Sequence, residues 1–108
     1  MTAEKFRSIA LGFSGAVESA HMRHPDFRCN GRIFATLDYP EKGWGMVKLT
    51  PSQQRFYLKR APGVFEPAGG AWGRSGSTTV KLELARKSDL KAALSAAFRN
   101  AAASTKKS

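Results

Sequence analysis

Acidic residues are scarce in this chain. Eight Asp and Glu stand against 18 Lys and Arg, which leaves a formal charge of +10 on 108 residues. Such a surplus surrounds a small domain with a positive field that draws nucleic acid, anionic lipid or phosphorylated small molecules. Cysteine is nearly absent, and with Cys29 alone no intramolecular disulfide can form. In a strand, such a residue is more often a small buried hydrophobe than a nucleophile. No stretch approaches the ~20 apolar residues that cross a bilayer. The N-terminal MTAEKFRSIALGF has the spacing of an amphipathic helix and only a short apolar run, so neither a membrane span nor a signal peptide is expected. The expected location is the cytoplasm. The few carboxylates show no acid/base pair, and Ser14 in GFSGA does not fit a G-x-S-x-G nucleophile turn. The reading is therefore of a protein that is not an enzyme and needs no cofactor. His21 and His24 have HxxH spacing, but Pro25 disfavours a helix there and only Glu18, Asp26 and Cys29 are near enough to add ligands. No metal site is expected.

What is present suffices for one folded domain over residues 1–103, followed by a polar, basic tail at 104–108. Hydrophobic residues make up 42% of the chain and include seven Phe and two Trp, enough to bury one core. Residues 3–11 place Phe6, Ile9 and Ala10 on one helical face, with Thr2 to cap and Gly12 to stop the helix. Residues 12–25 read mostly as loop. Strands are expected at 26–30, 32–38 and 44–50. Asn30-Gly31 is a strong hairpin turn, because both positions accept positive φ. In the second strand Ile33, Ala35 and Leu37 alternate with Arg32, Phe34 and Thr36. Thr50-Pro51-Ser52-Gln53 is a helix start with a capping box, and Pro62-Gly63 ends that helix near Ala61. Phe56 and either Tyr57 or Arg60 are expected inward, with Arg55 and Lys59 outward. A short strand near 64–66 and a turn-rich stretch to 77 precede TTVKLEL (78–84), where Val80, Leu82 and Leu84 share a face. A last helix, capped by Ser88, buries Leu90, Leu94, Ala97 and Phe98. The order α-β-β-β-α-β-β-α, with alternating strands, predicts an α+β domain: a twisted antiparallel sheet with helices on one face.

If Ile33, Val47 and Val80 face the helices, the other face gathers Arg32, Phe34, Trp44, Met46, Lys48 and Lys81, a basic surface with aromatics among the charges. Cations there can neutralise phosphates and an aromatic can stack on a base. Alternatively, Lys and Thr merely solvate that face. The stretch GGAWGRSG (69–76) has the glycines and arginine of a phosphate cradle. It leads into a strand rather than a helix and lacks the Gly-Lys-Ser/Thr of a P-loop, so its glycines read as turns around Trp72, with Arg74 left as an anion contact.

HPDFRCNGRIFATL (24–37), WGMVKLTPSQQRFYL (44–58), PGVFEPA (62–68), AWGRSG (71–76) and TTVKLEL (78–84), in that order, resemble the MmcQ/YjbR-like family. The resemblance covers nearly the whole domain. It implies a CyaY-like (frataxin-like) α+β fold and DNA binding through a double-wing arrangement of β-hairpins. It does not carry over iron handling, because the first helix contributes only Glu4, with Glu18 beyond it. Family members often have a bulky aromatic after the glycine that follows WGR, where this chain has Ser77. The expected function is thus a small binding protein that engages DNA, with Arg32, Lys48, Arg74 and Lys81 on phosphates and Phe34, Trp44 or Trp72 available for stacking. The alternatives are a sensor of a small anionic ligand in a pocket at Lys48, Trp72 and Arg74, and a protein-interaction module using the open sheet face.

Overall fold

The computed structural model describes residues 1–104, and the expectation for the basic tail lies largely outside them. Helix α1 (Ala3–Leu11) starts where Thr2 accepts the Lys5 N–H and buries Phe6 and Ala10. Strands β1 (Ala16–His21), β2 (His24–Cys29), β3 (Arg32–Leu37) and β4 (Trp44–Lys48) follow as an antiparallel meander. Helix α2 (Pro51–Arg60) carries the expected capping box: Thr50 accepts from the Gln53 N–H, and Gln53 accepts from the Thr50 N–H. Then come β5 (Phe65–Pro67), the one-turn helix α3 (Gly70–Arg74), β6 (Ser77–Lys81), a 3₁₀ turn at Leu82–Leu84 and the long helix α4 (Lys87–Ser104). The six strands form one antiparallel sheet in the order β1-β2-β3-β4-β6-β5. One core joins Phe6 of α1, Tyr57 of α2 and Leu90, Leu94 and Ala97 of α4 to the inward residues of β2 through β6. The molecule is a single α+β domain.

Five local expectations are corrected. Residues 16–21 are a strand, not loop. They form the outermost strand, with Val17 through Ala20 exposed, so no apolar alternation marks them. Their turn to β2 places Met22 and Arg23 at φ of 48° and 69°, positions where glycine or asparagine would have signalled a hairpin. In β3 the alternation breaks. Phe27 pairs with Ala35 but Arg28 pairs with Ile33, which leaves Phe34 as an extra residue in a bulge. The bulge turns Phe34 inward, where its ring meets Phe13 and Phe98 and is fully buried. On α2 the inward residues are Gln54 and Tyr57, while Phe56 is 58% exposed. Strand β6 ends at Lys81, opposite the first residue of β4, so Leu84 points to solvent. Finally, α4 begins one residue before Ser88, with the Leu90 N–H donating to the Arg86 carbonyl.

A candidate anion groove at one end of the sheet

The face turned away from the helices carries a cross-strand row, Ser19, Asp26, Thr36, Met46, Thr79 and Glu66. Two residues further along β4, this face ends in a groove of about 810 Å³. From β3 and its turn come Gly31, Arg32 and Ile33, and from the end of β4 come Lys48 and Leu49. The capped start of α2 supplies Thr50 and Pro51. The α3 turn supplies Ala71, Trp72 and Ser75, and α4 closes the far wall with Ala97, Asn100 and Ala101. No carboxylate among the described residues lines the groove. Among the described residues, neither Arg32 nor Lys48 has an ion-pair partner, whereas Arg7, Arg28 and Arg60 are each paired with an acid. The Lys48 ammonium lies 4.7 Å from the Trp72 ring centroid, within cation–π range. Burial pushes the Lys48 amine below the ordinary lysine value.

The walls are held by hydrogen bonds from residues that sequence reasoning passed over. Gln54 donates to the carbonyls of Gly73 and Ser77, both at 3.0 Å, and so ties α2 to both ends of the WGRSG turn. Asn100 donates to the Lys48 carbonyl (3.2 Å) and to Gln53 Oε1 (2.8 Å), joining α4 to β4 and to the α2 cap. A sequence signal for Asn100 exists: it sits three residues after Ala97, a polar side chain beside the buried stripe. The glycines of the WGRSG stretch answer to packing rather than to phosphate. A β-carbon on Gly73 would lie 1.8 Å from the Ala68 carbonyl oxygen, and one on Gly76 would lie 2.1 Å from that of Leu49. Only glycine permits these approaches. They seat the turn so that Trp72, 56% exposed, stands over Lys48. Ser77 is buried and also lines the groove, so the bulky aromatic that the resemblance implies after this glycine would occupy part of it.

The predicted site residues divide. Arg32, Lys48 and Trp72 meet in this groove, while Arg74 is exposed on α3 outside its lining. Lys81 and Trp44 form a second cation–π pair at 5.9 Å, four residues away along β4, roughly 13 Å at strand spacing. Their hollow, about 530 Å³, includes Asp38, Glu41 and Glu83 beside Lys42 and Lys81, so its charge is mixed. Phe34 is the one predicted stacking residue that the fold removes from any surface, for the bulge buries it. His21 and His24 face each other across β1 and β2, with ring centroids 6.4 Å apart. His21 is bonded to Asp26 at 2.6 Å, and Arg28 holds both Asp26 oxygens. Among the described residues no group of three or more His, Cys, Asp or Glu gathers as metal donors. Cys29 is buried and free, and no described helix is long and apolar enough to cross a membrane.

Comparison with known proteins places the fold. No family model and no curated protein matches the chain. Among solved structures it is similar to the Deinococcus radiodurans protein DR2400, whose family-model domain is DUF419, with a TM-score of 0.75 and 16% sequence identity. The match covers 90% of this chain and 75% of that one. DUF419 is the designation of the MmcQ/YjbR-like family, and at this identity the likeness shows a shared α+β fold.

Proposed function

We propose that this is a non-enzymatic, cytoplasmic binding protein of the MmcQ/YjbR type that holds an anionic ligand in the groove between β4, α2, α3 and α4. One observation carries the reading. Among the described residues, two cations without carboxylate partners, Arg32 and Lys48, share a concave site that no acid lines. Desolvating a lysine is unfavourable unless something compensates, and Trp72 compensates only in part. An incoming carboxylate or phosphate would supply the missing charge through hydrogen bonds of the strong, charge-assisted kind. Arg74 would act at the rim, on longer ligands.

DNA is a second reading, favoured by the +10 charge and by the exposed Arg55 and Lys59 on α2, the helix whose first turn borders the groove. Here the groove would take one phosphate while Arg74 and the α2 cations track the backbone, and Lys81 with Trp44 would form a separate contact. Fluorescence anisotropy with a short duplex and a matched single strand, at low and near-physiological salt, tests both readings when repeated with Arg32→Ala and Lys48→Ala. Sub-micromolar binding at physiological salt that either substitution weakens at least tenfold supports DNA as the ligand. Weak binding that salt abolishes and both variants retain sets DNA aside. The anion reading itself fails if no anion, inorganic pyrophosphate included, binds in a manner that depends on Lys48.

A further inference from the structure

The walls of the groove carry information beyond its charge. Inorganic phosphate would satisfy Arg32 and Lys48 but fill only a small part of some 810 Å³, whose lining also includes the exposed ring of Trp72 and the half-buried Ile33. That volume falls within the ~300–1,000 Å³ typical of sites for small organic molecules. A nucleic-acid strand meets the opposite difficulty, because it presents a charge at every phosphate and, among the described residues, only two cations line this site. Trp72 bears on the choice. A tryptophan 56% exposed on a five-residue helix would ordinarily be free to reorient, yet its turn is clamped by two glycine–carbonyl contacts and the two Gln54 hydrogen bonds. A large aromatic surface fixed beside a cation in a concave site is preorganised for a flat partner, whose binding then requires little further ordering.

Resting on the anion reading of this groove, we propose that its ligand is a small organic anion with a planar ring, one molecule per protein, its charged group on Lys48 and Arg32 and its ring against Trp72. The small Ser77 leaves the ring its space.

The test uses the whole chain and the fluorescent probe 8-anilinonaphthalene-1-sulfonate, an anion whose naphthalene ring is planar. Saturable binding of one probe per protein is expected, weakened tenfold or more by Lys48→Met and by Trp72→Ala and unchanged by Phe56→Ala, which removes an exposed aromatic outside the groove. Competition by 5′-AMP should exceed that by adenosine or by inorganic phosphate, since each of the latter two supplies half of the recognised chemistry. Circular dichroism melts confirm that each variant folds. Probe binding that is lost equally in Phe56→Ala, or that ignores Trp72→Ala, overturns the proposal. Should pyrophosphate or the single strand still bind in a Lys48-dependent way in that case, the anion reading survives and only the planar-ring inference falls. If nothing anionic depends on Lys48, both fall together.

Discussion

At the scale of single residues, Lys48 and Gly73 separate function from stability. Burial lowers the Lys48 amine below its ordinary value, so folding disfavours the charged form. That penalty is fully present below the folded value and is relieved as pH rises from it toward the unfolded lysine value of about 10.4. Lys48→Met keeps the stem and removes the charge. The variant should melt no lower than the parent at pH 7, and its advantage should shrink as pH is raised toward 10, while ligand binding at pH 7 is weakened tenfold or more. A lower melting temperature at pH 7 would mean that the ammonium contributes more to Trp72 than it loses by burial. Gly73 is the reverse case, since it touches the ligand site only through the turn it seats. With a β-carbon 1.8 Å from a backbone oxygen that cannot easily move, Gly73→Ala should cost about 2–3 kcal/mol, roughly 10 °C or more in melting temperature for a domain of this size. Calorimetry decides it. A shift under 2 °C would show that the α3 turn is not clamped.

The next scale is the element, where strand pairing decides which residues belong to a surface. The β1–β2 hairpin has a strained turn and an exposed outer strand, and what braces it internally is Asp26 of β2, fully buried and bonded to Arg28 of the same strand and His21 of β1. The hydrogen bonds from Arg28, with a smaller contribution from His21, outweigh desolvation and hold the Asp26 carboxyl below its usual value. Its contribution to stability is therefore present above the unfolded carboxylate value of about 3.9 and is lost as pH falls through the lower folded one. Asp26→Asn should destabilise the protein by roughly 2 kcal/mol at pH 7 and flatten the acid limb of the melting-temperature profile below about pH 4. An unchanged acid limb would place the acid sensitivity elsewhere. The same hairpin shows what was legible in the sequence. Elements marked by local chemistry could be read directly: the Thr50 capping box, the Asn30-Gly31 turn and the apolar stripe of α4. Those that depend on partners could not. The bulge that buries Phe34 is a property of β2 and β3 together, and β1 is a strand only because β2 lies beside it. For the site, Lys48, Trp72 and Arg32 could be named from residue type and parity. The anchor Gln54 could not, because a buried amide is specified by the carbonyls it meets, and Asn100 is marked only by its place beside the apolar stripe of α4.

At the scale of the whole molecule, the surplus of positive charge and the groove predict different responses to salt. A chain of +10 attracts any polyanion through counterion release, and the logarithm of such an affinity falls with that of salt with a slope of about −0.9 for each duplex phosphate neutralised. A strip contact enlisting Arg32, Lys48, Arg55, Lys59 and Arg74 would on this rule approach a slope of about −4 to −5. Among the described residues the groove holds two cations, and if much of its recognition is apolar contact that salt does not screen, a small aromatic anion seated there should show a slope no steeper than about −2. Measuring affinity for a short duplex and for 8-anilinonaphthalene-1-sulfonate across 20–300 mM salt therefore distinguishes the two modes on one protein. A shallow slope for the aromatic anion, lost with Lys48→Met, assigns specific recognition to the groove and leaves the remaining charge as a general attractor. A slope near −4 for the duplex, with tight binding retained at physiological salt and sensitive to Arg55→Ala and Lys59→Ala, would instead make the groove one contact in a longer track.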